Sequence, residues 1–357
     1  MNTAASRWLA ARTDSVVAAG RRRLLDSALG TVLVADDHAG PPPPLSWPSS
    51  GELAESEIRP FGTLVATRHE APPEITRALR SAQAHASQRT GRGAFPVRWL
   101  PGQPWIARYE NGPIVLRDGS RLLMTATTTG EAATWASKVL RELLIHGGVR
   151  RGFRLCHAAV IGGRRSGLLI TGPTGAGKTD LALKLARQLR VPVVSVDRCV
   201  VGQRGAVLVA GTLPFGLNIH RDTLAGFGCS EADLARRYPP QKDKHYLDIL
   251  AAQRLCQVTM RAWSPITAVI SLQRGPDTIW WQRLGTAAIT DTLRFADVAG
   301  TDPGYQIDWL GLGGGKHPPA LRAPEMLTGW ILGYRPDQPL PEDWASQVGQ
   351  ALHAPAS

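Results

Sequence analysis

The 357-residue sequence predicts an α/β protein built on a P-loop core, with an α+β accessory domain in front of it. Three observations predict it. Residues 168–181, LLITGPTGAGKTDL, pass from an apolar run through three glycines into a helical pattern. Beyond them, apolar runs of strand length alternate with helical stretches, the signature of an α/β core. Before them, short β-like runs surround one helix and carry no chemical motif.

Residues 5–29 read as an amphipathic helix, and PPPPLSWPSS at 41–50 as a stiff extended break. That break is a surface loop or an SH3-type ligand. Between 58 and 128, TLVATRH, PIVLRD and SRLLMTAT read as strands, with a helix near 73–87 and a polar loop, QRTGRGAFP, at 88–96. Residues 129–147 place Trp135, Val139, Leu140, Leu143 and Leu144 at helical spacing, with Gly147 and Gly148 as terminators. LCHAAVI and GLLITG, joined by GGRRSG, form a hairpin signal. A helix at 178–189 and a strand at 191–197 follow, then strands at 206–210 and 266–272 and helices near 230–237 and 247–257. The last thirty or so residues read as a short helix and a loose end. The expected organisation is an accessory domain over 1–140, the P-loop domain over 141–325 and a tail over 326–357.

Hydrophobic content of 43% and charged content of 20% are globular values, so a disordered chain is not expected. The net charge of +12 points either to an acidic partner or to a solvated basic face. Cys156, Cys199, Cys229 and Cys256 make no CxxC pair and no zinc spacing, so reduced thiols are expected. The N-terminal stretch is interrupted by Arg7, Arg12 and Asp14, unlike a signal peptide, and no run is apolar enough to span a bilayer. A soluble, cytoplasmic protein without a membrane partner is the expectation. The eleven tryptophans are scattered rather than interleaved with basic residues, so nucleic acid is not an expected partner either.

Gly172 to Thr179, GPTGAGKT, fits the P-loop (Walker A) pattern G-x-x-x-x-G-K-[ST], in its required strand-to-helix context. The backbone N–H groups of Gly172, Thr174, Gly175, Ala176 and Gly177 can turn inward around a phosphate, and larger side chains would block that approach. The helix N-terminus adds a positive potential. Lys178 reaches the terminal phosphates, and Thr179 offers its hydroxyl to Mg²⁺. Asp197 ends the strand after the P-loop helix, where an open sheet binds its ligands, and could hold Mg²⁺ or take a hydroxyl proton. It could also be a turn or cap aspartate. Asp180 is a metal-side group or an acid favoured in the first helical turn. His157, among apolar residues, is a phosphate-end group or a satisfied core histidine.

These residues together resemble the catalytic domain of the HPr kinase/phosphorylase family. The shared pattern is His157, the glycine-bearing GGRRSG, LLITGPTGAGKT, Asp180 and a strand ending SVD at Asp197, within about 140–275. The resemblance implies a fold akin to phosphoenolpyruvate carboxykinase and phosphate transfer from ATP with Mg²⁺. It implies Asp197 as general base, His157 close to the phosphates, and Thr179 with Asp180 near the metal. The family usually has two adjacent acids where this chain has Val196 and Asp197. GTLPFGLNIHRDTLAGFG at 211–228 looks like the related members that do not act on HPr.

His220 and Arg221 lie inside that segment, and Lys244 and His245 follow in QKDKHYLD; these basic groups could clamp an acidic substrate or form an ordinary charged surface. GLGGGK at 311–316 lacks a following Ser or Thr and reads as a flexible loop. The leading expectation is an ATP- and Mg²⁺-dependent kinase acting on a hydroxyl of a peptide serine or a small metabolite. Two others stand beside it: a nucleotide-binding regulator without phosphotransfer, and a nucleic-acid-dependent NTPase. A homo-oligomer is compatible with the sequence.

Overall fold

In the computed structural model the described residues are 2–19, 21–25, 27, 29, 32–38, 62–89, 93–109, 112–126, 128–213, 216–275, 279–298, 307–312 and 320–353. The proline run at 41–50 and residues 313–316 of GLGGGK lie outside them. The chain divides into two compact units, Met1–Leu45 with Ser50–Arg151 and Ala299–Pro318, and Ser46–Ser49 with Gly152–Val298 and Pro319–Ser357.

Among the described residues the first unit is one eight-stranded sheet with three helices. In chain order its elements are α1 (Asn2–Ala19), β1 (Arg21–Leu25), β2 (Val32–Asp36), β3 (Gly62–Thr67), α2 (Pro73–Ser81), β4 (Ala84–Arg89), β5 (Gly93–Leu100), β6 (Trp105–Tyr109), β7 (Ile114–Asp118), β8 (Arg121–Thr125) and α3 (Thr129–Val149). The strands lie in the order β1-β2-β3-β8-β7-β6-β5-β4. Alternation sorts the faces. Val65 packs with Ala5 and Leu9 of α1 and Ile75 and Leu79 of α2. Gly62, of opposite parity, lies against Leu143 of α3.

Four sequence expectations are corrected in this unit. The helix expected over 5–29 ends at Ala19, and Arg-rich β1 follows it. The helix near 73–87 stops at Ser81, and the supposed loop at 88–96 supplies the ends of paired strands β4 and β5. Gly147 and Gly148 lie inside α3, whose start is fixed by Thr128 accepting from the Glu131 amide at 3.1 Å.

The second unit holds three sheets. Its elements are β9 (Arg154–Cys156), β10 (Ala159–Gly162), β11 (Gly167–Thr171), α4 (Lys178–Leu189), β12 (Val193–Ser195), β13 (Cys199–Arg204), β14 (Val207–Thr212), β15 (Leu217–His220), α5 (Arg221–Gly226), α6 (Glu231–Arg237), β16 (Pro240–Gln241), β17 (Lys244–Leu247), α7 (Ile249–Cys256), β18 (Trp263–Pro265), β19 (Ala268–Arg274), β20 (Trp280–Arg283), α8 (Thr286–Ala296), β21 (Thr328–Tyr334) and α9 (Glu342–His353). The central sheet runs β12-β10-β11-β19-β21-β20, with β11, β19 and β21 parallel. A four-stranded sheet, β18-β14-β13-β9, and a three-stranded one, β15-β17-β16, complete it.

β11 is buried along its whole length, which is why it reads as an unbroken apolar run. Leu168 and Ile170 face the core shared with α4, α7 and α9, while Leu169 faces a second core with β13, β14 and α8. The loose C-terminal end is corrected here. β21 is an interior strand of the central sheet, and Trp344, Val348 and Leu352 of α9 are buried in the core against it. Among the described residues no helix is long and apolar enough to cross a membrane.

Candidate functional site

Strand direction assembles the site. β10 is antiparallel to both β11 and β12, so β11 and β12 point the same way. Their carboxyl ends, and the residues leading into β10, therefore meet at one edge of the sheet. The P-loop leaves β11 there, Asp197 follows β12, and His157 precedes β10.

The loop needs its glycines for two different reasons. Gly172 has φ +150°, and a Cβ built on it falls 2.2 Å from the Leu272 carbonyl oxygen of neighbouring β19. That glycine permits close packing of strand and loop. Gly175, at φ +82°, has nothing within 4 Å of a built Cβ, so the room beside it is open. Gly172→Ala is expected to lower stability by about 1–3 kcal/mol through strain alone, read as a fall in melting temperature. An unchanged melting temperature would show that the loop is not packed this way.

Helix α4 begins at Gly177 without a side-chain cap, so its first N–H groups are left for a ligand. Lys178 is buried and folds back over the loop, its Nζ donating to the Gly172 carbonyl at 2.8 Å and the Pro173 carbonyl at 3.1 Å. Burial lowers the pKa of its ammonium; Asp197 opposes that and Lys244 adds to it. Thr174 and Gly175 are exposed at the loop tip, whereas the Ala176 side chain is in the core and its amide donates to the Pro173 carbonyl at 3.2 Å. The Thr179 hydroxyl donates to the Val196 carbonyl at 3.0 Å, which ties the helix start to the residue before Asp197.

Asp197 is half exposed. Its Oδ1 lies 3.3 Å from His157 Nε2, and its Oδ2 accepts from Arg198 Nη1 at 2.8 Å. Burial pushes the carboxyl up, but the His157 hydrogen bond, Arg198 and Lys244 outweigh it and hold the group below the usual carboxylate range. Ser195 donates to the Arg198 carbonyl at 2.7 Å and braces the turn that carries Asp197. His157 is fixed in turn through its amide, which donates to the Ala296 carbonyl at 2.8 Å. A cavity of about 100 Å³ opens beside Asp197 and Arg198, with Asn218 and Tyr246 in its wall.

Other expected site residues are placed elsewhere. Asp180 is buried, and its Oδ2 is taken by Lys184 at 2.8 Å and by the Tyr334 hydroxyl. In this structure the carboxylate ties α4 to β21. Burial and the Asp180 charge push the Tyr334 phenol up, so the phenol keeps its proton and donates. Tyr334→Phe is expected to cost about 1.5–3 kcal/mol, measured as a lower urea midpoint, with nucleotide affinity unchanged. A midpoint equal to wild type would mean that the bond contributes nothing.

The basic cluster also divides. His220 caps α5 by accepting from the Asp222 amide at 3.3 Å and sits 2.8 Å from Asp243 Oδ2. His245 is buried, with Nδ1 2.6 Å from the Tyr238 carbonyl. Arg221 is exposed near Asp222 and Glu231. All three make local contacts in the fold. Lys244 alone of the four acts on both Lys178 and Asp197 electrostatically. Sequence reasoning missed Arg198, Asn218 and Tyr246; only Arg198, directly after Asp197, left a signal. Among the described residues no group of three or more His, Cys, Asp or Glu side chains could hold a metal ion by itself. The four cysteines are free.

Comparison with known proteins finds similarity of two kinds. Residues 166–208 match the family model for isopentenyl transferase (IPT), over β11, the loop, α4, β12, β13 and the start of β14. Among solved structures the chain is similar to the HPr(Ser) kinase/phosphatase from Coxiella burnetii, with 12% identity and a TM-score of 0.26, over 56% of this chain and 93% of that one. No curated protein matches this chain. The second unit is thus a mixed α/β body with a P-loop of the kind that nucleotide-dependent transferases carry.

Proposed function

We propose that the second unit is an ATP- and Mg²⁺-dependent phosphotransferase acting on a hydroxyl, carried by a peptide serine or a small metabolite. The observation that carries this reading is the meeting of Lys178 and Asp197 at one sheet edge, with His157 3.3 Å behind the carboxylate.

The residues fit the nucleotide and its metal. An uncapped helix start, a buried ammonium and open room at Gly175 suit a polyphosphate. When bound, Mg²⁺-ATP supplies the phosphoryl group and neutralises its own developing charge. Thr179, whose oxygen keeps its lone pairs after donating to Val196, would hold the metal together with the nucleotide's own oxygens.

The chain's own groups do the rest. Lys178 orients the phosphates as a point charge and offsets negative charge as the bond breaks. Asp197 accepts the proton of the acceptor hydroxyl, and His157 holds Asp197 in place for it. Lys244 adds positive potential, and the cavity lined by Asn218 and Tyr246 positions the acceptor.

The test is transfer from ATP labelled at its γ-phosphate to peptide and metabolite fractions, with ADP measured alongside. A labelled product in equal amount to ADP is expected. The isopentenyl-transferase match favours a second reading, in which an isopentenyl group is the one moved. With a prenyl diphosphate added as donor, a prenylated product formed in equal amount to released diphosphate, with no phosphate transfer to the acceptor, would replace the first reading with the second.

A further inference from the structure

We propose that the first unit carries a recognition groove for an acidic peptide segment. Arg80 at the end of α2, Arg98 on β5 and Arg108 on β6 line one cavity of about 380 Å³, and among the described residues no Asp or Glu stands in its lining. Arg98 and Arg108 are directly opposite in the β5–β6 register, so both side chains project from the same sheet face. It is the face that carries α2, because Ile106 and Leu100, two residues along, pack with Ile75 and Leu79. Like charges placed directly across a strand pair are destabilising, and here a third cation joins them. Among the described residues no carboxylate forms an ion pair with any of the three. A protein keeps such a cluster at a cost in stability unless an anion fills it.

The arginines are also pre-set. Arg98 Nη1 donates to the Ala82 carbonyl, and Arg108 Nε donates to the Gly112 carbonyl at 3.1 Å. Each bond fixes a planar fork with one of its five donors and leaves the others for carboxylate oxygens, in a geometry that matches them pairwise. Ordering of those side chains is therefore complete before a ligand arrives.

Shape and polarity select a peptide. A second cavity of about 250 Å³ shares Arg80 and Arg108 with the first, so the two form one elongated groove. Leu79, Pro96 and Tyr109 give the first cavity apolar walls. Glu70 and Glu131 enter the lining of the second. Arg68 and His69 stand beside those two acids, so this end of the groove is of mixed charge. An extended chain with its carboxylates at one end and apolar or basic residues beyond matches that pattern, which a uniformly charged polyphosphate does not.

The test uses the full-length protein and a fluorescein-labelled peptide of three glutamates followed by leucine, alanine and lysine, read by fluorescence polarisation. Salt-sensitive binding is expected. Arg80→Ala and Arg108→Gln should each weaken it about tenfold. Arg294→Ala, at an exposed arginine of α8 in the second unit with the same change in net charge, should not weaken it, and Lys178→Ala should not either. Arg80 is exposed, so Arg80→Ala keeps the test valid should Arg108→Gln fail to fold. Absence of binding, equal weakening by Arg294→Ala, or loss in Lys178→Ala would overturn the groove. Displacement by tripolyphosphate at lower concentration than by the unlabelled peptide would overturn its assignment to a peptide. The groove stands or falls independently of the phosphotransferase reading.

Discussion

Asp197→Asn is expected to lower turnover about 10²- to 10⁴-fold, the range spanned by a positioned proton acceptor, while nucleotide affinity stays near wild type. The substitution keeps the shape of the side chain and its acceptor oxygen for His157 or Arg198, so the turn from Ser195 to Arg198 should survive. What it removes is the charge. The depressed pKa of Asp197 makes it a weak base in the resting site. That suits phosphoryl transfer, whose loose transition state asks mainly for orientation and for somewhere to put the proton late. The same depression sets the pH behaviour. Asp197 stays ionised as pH falls to the ordinary carboxylate range, about 4, and is protonated only below it. An acid limb of kcat/KM lying well above that range would belong to another group. The measurement is a single-turnover transfer rate beside a nucleotide titration; near-normal turnover in Asp197→Asn would remove the proton-acceptor role.

Which parts of this site could be read from the chain follows from how local each contact is. β11, the loop and α4 are contiguous, and their buried run, glycines and helical pattern all lie within 167–189. β10 and β11 are joined by a short turn, so their pairing was legible too. β21 was not, although TGWILGY is rich in strand formers. It reaches the central sheet by a long connection, and its glycines are small for tertiary reasons, Gly329 against Ile289 and Gly333 against Trp280. β1 was missed because RRRLL has no alternation to mark a strand. The partners of Asp180 divide in the same way. Lys184, four residues on, was visible as a helical partner, but Tyr334 lies 154 positions away. The basic cluster at 241–248 was read as one surface, whereas period-two alternation splits it. Lys244 and Tyr246 are exposed, and His245 and Leu247 are buried.

Lys178→Ala is expected to have the second large effect, and a different one: nucleotide affinity and turnover fall together. A charge-assisted hydrogen bond contributes roughly 1.5–3 kcal/mol, so affinity alone should drop about 10- to 100-fold. Turnover should fall further, since charge on the transferring group grows toward the transition state. The fold should tolerate the change. Lys178 is buried with a lowered pKa because burial works against its charge, and its protein partners are two carbonyls of its own loop. Removing it relieves that desolvation while leaving β11 and α4 packed through Leu168, Ile170, Leu181 and Leu185. Stability should therefore change little, in contrast to Gly172→Ala, which strains the loop without touching the charge. The pair separates two properties that the loop combines, a rigid backbone and an ammonium aimed at phosphate. Titration of the nucleotide and a melting curve for each variant give the comparison. Tight ATP binding by Lys178→Ala would mean that the loop holds its ligand by backbone amides alone, and the assignment of Lys178 to the phosphates would be withdrawn.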